Sequence, residues 1–457
     1  MRSRDHNTGR KATSRAVAAA LVTLAAFAPG AACAFTLFGS PDLLAPGQFK
    51  SLPFTLFGEQ ITPRLDLNGS VRYLILGERL QGQTLGIMAP QVDVEVNLQL
   101  TATQRIHGLW RPLERNFRDN TFDVFEPNRG WTVRTSGEPY NLFYEGQPFN
   151  WLTPGDSFPL DVTVAGGRLP LFLHNGLWFN NTLDGFALSK NNLQAGTLSN
   201  LNVVYFLTRG QPHGGITPFE KAEARKRVMG LYADADWYEY FVEASWAVAY
   251  DNARGPKGAD LNRNFWAVSI TRTAGFAGLT FRALGSTAND TRDAGVLFVL
   301  EGEKEFLDVR GYAVVFGATA DWLPVSEEAA TMSREGILFT FDRLAPTPGL
   351  NPRGSDSVGG VLGIIFNPRG VITVTPEVGW LLDTSSQRNH QFGAALQLQA
   401  DLASLLVPAA RLTDLRSRGV LYGALVRLTL VEIHNENNGI RGKPDDYGAR
   451  LELIHRF

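Results

Sequence analysis

The sequence predicts an all-β protein: an antiparallel transmembrane β-barrel of 16 or 18 strands with long extracellular loops. Three observations support this fold class. Apolar and polar residues alternate with a period of two over stretches of about ten residues. The chain begins with a secretory signal, and no later apolar run reaches the roughly 18 residues of a membrane helix. The last segment is an alternating strand that ends on Phe457.

The alternation is the strongest of these observations. In 91–106, Val92, Val94, Val96 and Leu98 alternate with acidic and amide side chains. A helix with 3.6 residues per turn would spread such a pattern around its circumference, so the segment predicts a strand with one lipid-facing and one water-facing side. The same pattern occurs in four further segments, 64–76, 237–250, 371–383 and 391–402.

The N-terminus indicates export. A basic region precedes the apolar stretch Ala16–Ala28, and Ala32–Ala34 has the small-x-small pattern of a cleavage site. We expect residues 1–34 to be a signal peptide, 35–62 a pre-barrel segment that contains two copies of Phe-Thr-Leu-Phe-Gly, and 63–457 the transmembrane β-barrel. The expected location is the outer membrane of a Gram-negative bacterium.

A soluble β-sandwich is the alternative fold, since its strands also alternate. Strands of five or six residues would be typical of it, whereas the segments here are longer. Seven aromatic residues near predicted strand ends favour the membrane, where they form interfacial girdles: Trp131, Trp237, Tyr238, Tyr250, Trp266, Trp322 and Trp380. A terminal strand with a C-terminal aromatic residue resembles the signal read by the outer-membrane barrel-assembly machinery, which we therefore expect as a partner.

The strand count follows from marking the alternating segments one by one. Eighteen candidate strands can be marked, including 90–106, 130–145 and 335–343. Tight connections are expected at Asp234–Asp236, Ala274–Gly275 and Asn367–Gly370, all on the periplasmic side. Two turns on the same side must enclose an even number of strands, yet five candidates lie between the last two. At least one element in that interval is therefore miscounted.

Composition and motifs exclude several function classes. With 43 basic and 45 acidic residues, the chain lacks the cationic excess expected of a nucleic-acid binder. Zinc-protease and CxxC-type motifs are missing from the sequence, so we expect no metal site and no cofactor. His174-Asn175 and His434-Asn435 are the only hints of an outer-membrane hydrolase, and no nucleophile motif accompanies them. We therefore expect no catalytic residues and no enzymatic activity.

One segment resembles a known family. The stretch from Gly167 to Leu188 is similar to the G-R-x-x-L…N-x-x-D-G-x-x-L hairpin of alginate-export-type and related substrate-specific outer-membrane porins. The resemblance implies that Arg168 lies on the lumen side and that Asp184-Gly185 forms a turn at the membrane edge. Leu169 and Pro170 depart from the usual motif. The match covers about 22 residues and implies a porin-like barrel without assigning a substrate.

The water-facing side carries the functional prediction. Opposed charges around a lumen produce a transverse field that selects polar or charged solutes, although the same charges could simply pair along the wall. The predicted pore-lining residues are Arg64, Arg72, Asp93, Glu95, Arg105, Arg134, Arg168, Glu239, Glu243, Arg282, Glu377 and Arg427.

The preponderance of arginine favours a channel for small hydrophilic solutes, anionic or sugar-like. Two alternatives remain open: an export or scaffold barrel that holds a partner protein, and a barrel hydrolase. Expected partners are outer-membrane lipid, lipopolysaccharide and a small-molecule solute, with no nucleic acid. The sequence leaves the oligomeric state undetermined.

Overall fold

The structure, a computed structural model, describes most of the region 63–456 and short pieces before it. The described residues are 42–43, 48–50, 54–56, 59–61, 63–80, 83–101, 103–113, 122–123, 139–148, 162–210, 227–250, 262–275, 277–288, 294–319, 322–325, 336–339, 350, 356–367, 371–384, 389–406, 424–437 and 445–456. The predicted signal peptide, Trp131, Arg134 and Phe457 lie outside them. No helix in these ranges is long and apolar enough to cross a membrane.

Eighteen antiparallel strands form one closed barrel. Each strand pairs with its neighbours along the chain. The strands are β1 (Arg64–Leu80), β2 (Gln83–Thr101), β3 (Gln104–Trp110), β4 (Pro139–Gly146), β5 (Val162–Leu173), β6 (Phe179–Ala195), β7 (Leu198–Arg209), β8 (Arg227–Trp237), β9 (Tyr240–Tyr250), β10 (Arg263–Ala274), β11 (Ala277–Ala288), β12 (Ala294–Phe306), β13 (Val309–Ala318), β14 (Ser357–Phe366), β15 (Ile372–Asp383), β16 (Asn389–Asp401), β17 (Ala424–Asn437) and β18 (Asp446–Arg456).

The first and last strands close the barrel. β18 pairs with β1 in a continuous register from Tyr447 opposite Arg79 to Arg456 opposite Ser70. Inside a bilayer no water is available to bond an exposed strand edge, so closure satisfies backbone groups that would otherwise destabilise the chain. The predicted all-β transmembrane-type barrel is confirmed, and the strand number is 18.

The predicted count was right because two errors cancelled. The candidate 90–106 contains parts of two strands, since β2 ends at Thr101 and β3 begins at Gln104. The candidate 335–343 is not a strand where it is described, because Gly336–Phe339 forms a bend and turn. Four strands, β11 to β14, therefore lie between Gly275 and Asn367, which restores the even number that same-side turns require.

The connections differ in length at the two rims. Two-residue connections follow Thr101, Ala195, Trp237, Ala274 and Phe306 at one rim, and one follows Leu80 at the other. The long connections 210–226, 251–262 and 319–356 join strand ends at that second rim, whereas 147–161 and 402–423 join strand ends at the first. Since outer-membrane barrels have short periplasmic turns, the short-turn rim is the periplasmic one.

Two predicted turns were misplaced. Asp234–Asp236 lies inside β8, and the turn there consists of Tyr238 and Glu239. Asp184-Gly185 lies inside β6, paired with Arg168-Gly167 of β5. The hairpin between β5 and β6 instead turns through His174–Trp178, several residues further along both strands. Both errors arose from turn-type residues that extended strands accommodate.

The outer face carries the apolar residues of the alternation. Exposed large side chains on it include Leu231, Trp246, Phe281, Phe298 and Leu300. Trp237, Tyr238, Tyr250 and Trp266 are also exposed, as expected of aromatic girdles. Trp322 is the exception, since it is 3% exposed and packs inside the barrel. The girdle assignment of Trp322 is therefore corrected.

Short strands precede the barrel. Asp42–Leu43 pairs with Gln48–Lys50, which in turn pairs with residues 64–66 at the start of β1. Phe54–Leu56 and Glu59–Ile61 form a separate small hairpin. One short α-helix, Leu402–Leu406, follows β16 at the periplasmic rim.

The two faces of the strands should respond differently to an added charge. Leu300, at the centre of β12, is 46% exposed on the outer face. We expect Leu300→Arg to reduce the free energy of unfolding in lipid by about 2–4 kcal/mol, the cost of a lipid-facing arginine at mid-bilayer. Unfolding in denaturant from lipid vesicles measures it.

The matched control is Gln397→Arg, which places the same charge on the lumen face of β16 near the middle of that strand. It should change the free energy of unfolding by much less. Equal losses at both positions would contradict the assignment of the two faces.

Candidate functional site

The lumen is divided into an apolar part and a polar part. Buried apolar side chains form one large cluster that includes inward residues of β6 to β17 and residues of two inter-strand connections. The connections contribute Leu177, Trp178, Trp322, Val325, Ile337, Leu338, Phe339 and Leu350. Among the described residues, the inserted connections therefore fill one side of the barrel. The other side is a wall formed by β17, β18 and β1 to β4, which carries most of the inward ion pairs and a small apolar cluster of Leu74, Leu76 and Ile87.

A buried carboxylate holds the larger connection inside. The Glu377 side chain on β15 accepts hydrogen bonds from the backbone N–H of Ile337, at 2.9 and 2.8 Å from its two oxygens, and of Leu338, at 2.6 Å. The Tyr312 hydroxyl donates to the same carboxylate. Glu377 is 2% exposed. Because a buried charge is costly unless it is hydrogen-bonded, this set of donors fixes residues 337–338 against the wall.

Small residues on the wall make room for this connection. A Cβ atom at Gly379 would lie 3.0 Å from side-chain atoms of both Leu338 and Leu350, and one at Gly393 would lie 3.0 Å from Leu338. The Leu350 N–H also bonds to the Leu338 carbonyl at 2.9 Å. The glycines of β15 and β16 thus allow the inserted leucines to approach the backbone of the barrel.

The β5–β6 hairpin supplies the second inserted segment. His174 is 1% exposed, and its ring nitrogens lie 2.7 Å from the Ser245 hydroxyl and 2.6 Å from the Ser269 hydroxyl. Burial, and to a lesser extent the Arg282 charge, lower the pKa of His174 to about 3. The ring is therefore neutral at physiological pH, and it anchors the hairpin to the inner wall of β9 and β10.

The two inserted segments contact each other. The Val325 N–H donates to the Trp178 carbonyl at 2.9 Å, and the Leu323 N–H donates to the Ser286 hydroxyl of β11 at 3.1 Å. Together with the Glu377 contacts, these bonds attach the inserted segments to the inner wall at β11 and β15 and to each other.

The polar wall has a cluster of three guanidinium groups around one carboxylate. Glu452 of β18 is 0% exposed and lies 3.3 Å from Arg72, 3.5 Å from Arg427 and 3.4 Å from Arg450. Two guanidinium nitrogens of Arg427 also donate to the side-chain amide oxygen of Gln399, at 3.2 and 3.0 Å. The side chains of Arg72 and Arg427 are each 27% exposed. The cluster thus brings three guanidinium groups and one carboxylate together on the inner wall, with two of the arginine side chains partly exposed.

Mixed ion pairs continue the wall across β1 to β4. Asp93 accepts from Ser70 at 3.2 Å and lies 3.1 Å from Arg111. Three further pairs are Arg64 with Asp66 at 3.0 Å, Glu95 with His107 at 3.6 Å, and Arg105 with Glu145 at 2.6 Å. Each of the three arginine–carboxylate pairs joins one positive and one negative charge.

The opposite wall is more acidic. Glu243, Ser269 and Arg282 occupy one register row across β9, β10 and β11, and Arg282 forms an ion pair with Glu301 of β12. Glu243 also accepts a hydrogen bond from the Tyr232 hydroxyl at 2.9 Å. β9 stands nine strands from β18 in a barrel of eighteen, so this group and the arginine cluster lie on opposite sides of the barrel.

The structure distributes the predicted pore-lining residues among several parts of the barrel. Arg72 and Arg427 meet around Glu452, whereas Arg64, Asp93, Glu95 and Arg105 lie along the wall of β1 to β3. Glu243 and Arg282 are buried in the opposite wall, and Glu377 is buried on β15 against the inserted connection. Glu239 occupies a periplasmic turn, 2.8 Å from Arg272. Arg134 lies outside the described residues.

Arg168 departs most from the expectation. It lies on the opposite face of β5 from Leu169, which is 3% exposed, and from Leu171 and Leu173, which pack against the inner cluster. It lies 3.4 Å from Asp184, also on the outer face of its strand, and donates to the Pro139 carbonyl. The structure thus places Arg168 on the outer side of the wall.

The sequence reasoning missed the roles of Glu377 and His174. Alternation put Glu377 on the lumen side but gave no sign that it binds a distant connection. His174 was considered only as a hydrolase candidate. The run of inward glycines at positions 359, 363, 379 and 393 was the available signal, because it implies that other chain packs closely against this wall.

Solved structures with the same fold are outer-membrane porins. OccK2 (OpdF) of Pseudomonas aeruginosa is 10% identical, with a TM-score of 0.56 over 86% of this chain and 97% of that one. A second structure of OccK2, in complex with glucuronate, gives a TM-score of 0.54 at 10% identity over 86% and 98%. OccAB2 of Acinetobacter baumannii gives 0.55 at 9% identity over 86% and 98%.

At these identities the likeness concerns the fold: the chain has the barrel architecture of substrate-specific outer-membrane porins. No protein-family profile matches the sequence, and no curated protein matches it.

Removal of the Glu377 carboxylate should release the inserted connection. We expect a cysteine in a Leu338→Cys variant to react slowly with a water-soluble thiol reagent, since Leu338 is 0% exposed. Adding Glu377→Ala should raise its labelling rate at least tenfold, because the N–H groups of residues 337 and 338 lose a charged acceptor worth about 1.5–3 kcal/mol per bond. Mass spectrometry of the folded protein measures the rate.

Tyr312→Phe in the same cysteine background removes one donor and leaves the carboxylate. It should raise the labelling rate less than Glu377→Ala does. An unchanged rate in Glu377→Ala would show that the carboxylate does not hold the connection.

His174 should make the stability of the barrel pH-dependent. The pKa of His174 is about 3 in the folded chain and about 6.5 in an unfolded one. The contribution of the neutral, buried His174 to the free energy of unfolding is therefore complete above pH 6.5 and is lost as the pH falls from 6.5 toward 3. The temperature at which the folded band disappears in unheated electrophoresis should drop over this range less steeply in His174→Gln than in wild type. Parallel curves would exclude a role for His174.

Proposed function

We propose that this protein is an outer-membrane channel that passes small anionic solutes, in particular those bearing a carboxylate, along the polar wall of the lumen. The observation that carries the proposal is the cluster of Arg72, Arg427 and Arg450 around the single carboxylate of Glu452. The side chains of two of its arginines, Arg72 and Arg427, are partly exposed on the inner face of the wall. A planar guanidinium matches a carboxylate in a two-pronged geometry, so the cluster suits such a solute.

The acidic group on the opposite wall supports selective passage. Glu243 and Glu301 lie on the side of the barrel opposite the arginine cluster, with Arg282 bonded to Glu301. Separated charges of opposite sign orient a solute that has both a carboxylate and hydroxyl groups. The fold agrees with this substrate class, since a porin of the same architecture has been solved with glucuronate, a sugar acid.

Two other functions receive less support. A barrel that holds a partner protein needs an open lumen, whereas this chain inserts its own residues 177–178, 322–325, 337–339 and 350. A hydrolase needs an accessible histidine beside a nucleophile. His174 is buried, with both ring nitrogens on serine hydroxyls, and His434 is exposed and lies 2.9 Å from Asp445. We propose structural roles for both histidines.

The proposal includes the setting of the channel. An apolar outer face and a closed barrel place the chain in the bacterial outer membrane. Contacts with lipopolysaccharide on the extracellular side and insertion by the barrel-assembly machinery follow from that location as expectations.

The experiment is conductance of the purified protein in planar bilayers. We expect stepwise currents with a preference for anions, and a block by added glucuronate. The double variant Arg72→Gln, Arg427→Gln should shift the reversal potential measured in a salt gradient toward zero. It should also raise the glucuronate concentration for half block by at least tenfold, because each charged hydrogen bond contributes about 1.5–3 kcal/mol.

Arg168→Gln is the matched control. It removes an arginine from the outer side of the wall and should leave both the selectivity and the block unchanged. An absence of stepwise current, or equal effects of Arg168→Gln and the double variant, would refute the proposed pathway.

A further inference from the structure

The outer wall carries an apolar groove that the proposed channel does not use. Its volume is about 1060 Å³, and it extends from the periplasmic end of β10 across to β16. Its lining includes Leu279, Gly302, Gly311, Leu362 and Ala394. Most lining residues belong to the outward set of their strands, so the groove opens toward the membrane rather than into the lumen.

The shape of the groove results from residue size. Gly302, Gly311 and Ala313 form its floor, while Leu279 and Leu362, 54% and 52% exposed, stand at its sides. A Cβ atom added at Gly311 would meet no atom within 4 Å. The space above the floor is therefore open and is not filled by neighbouring side chains.

Two cations stand at the periplasmic mouth of the groove. Arg272 pairs in register with Leu279, and Lys304 pairs with both Ala277 and Gly311, so both belong to the outward face of their strands. Glu239 forms an ion pair with Arg272 at 2.8 Å and offsets part of this charge. Glu303, also at the mouth, lies 4.0 Å from Arg310 on the lumen side.

The groove extends along the membrane normal by about the thickness of one leaflet. Arg272 is two residues from the periplasmic end of β10, and Ala394 is the sixth of thirteen residues in β16. The mouth therefore lies at the headgroup level of the periplasmic leaflet, and the far end lies near the middle of the bilayer.

We propose that this groove binds one anionic phospholipid of the periplasmic leaflet, with an acyl chain over Gly302, Gly311 and Ala313 and the phosphate between Arg272 and Lys304. Apolar contact alone provides little preference, because lipid tails are as apolar as the leucines they would touch. The preference comes from the two cations, and the open floor fixes where the chain lies.

The test is native mass spectrometry of the full chain in detergent, titrated separately with phosphatidylglycerol, phosphatidylethanolamine and lipid A. We expect one phosphatidylglycerol to bind more tightly than the other two lipids. Arg272→Ala and Lys304→Ala should each weaken that binding about fivefold. Glu239→Gln should strengthen it, and Gly311→Leu should abolish it by filling the floor.

Two controls match these variants on the outer face near the other rim. Arg79→Ala removes an outward cation beside Tyr447, and Gly77→Leu enlarges a glycine that also has nothing within 4 Å of an added Cβ. Neither should change phosphatidylglycerol binding. Equal binding by all variants, stronger binding of lipid A, or a dimer that Gly311→Leu dissociates would each overturn the proposal.

Discussion

The structure depends on one constraint, the pairing of the last strand with the first. A hydrocarbon environment offers no partners for backbone groups, so every strand in it needs two neighbours. The ten-residue register between β1 and β18 supplies the missing neighbour for both. It also brings Arg72 of β1 beside Glu452 of β18. The arginine cluster thus exists only because the barrel closes between residues about 380 positions apart in the chain.

A barrel of eighteen strands encloses more space than its wall side chains can fill. In this protein the chain fills part of that space with its own connections, and the carboxylate of Glu377 and the imidazole of His174 hold them there. Both groups are polar, buried and fully hydrogen-bonded, which is the condition for burying them at low cost. The result is asymmetric: one side of the lumen resembles a protein core, and the other remains a charged wall.

The same asymmetry explains why the inward residues differ from one part of the barrel wall to another. Where connections insert, as at Gly379 and Gly393, inward residues are small and the added leucines provide the apolar surface. Among the described residues of β17, β18 and β1, the inward set includes the long charged side chains of Arg72, Arg427 and Glu452 beside apolar ones such as Leu74 and Leu76. Composition averages these two walls with the lipid-facing residues, so a nearly neutral chain with ordinary hydrophobicity gives no direct sign of either.

The sequence by itself determined the fold class, the inward or outward side of most strand residues, and the presence of opposed charges in the lumen. A period of two can be recognised from neighbouring residues alone. Because a one-residue shift would turn every lipid-facing side chain inward, the side of each residue is strongly specified wherever one face meets lipid. Parity also exposed the miscounted interval that contained 335–343.

Only the tertiary structure decided which charges meet, that Arg168 lies on the outer side, and that parts of the connection between β13 and β14, at 322–325, 337–339 and 350, enter the lumen. These outcomes depend on contacts between strands far apart in sequence and on the path of long connections. Local periodicity carries no information about either, because the hydrogen bonds that fix Ile337 and Leu338 come from a glutamate on another strand.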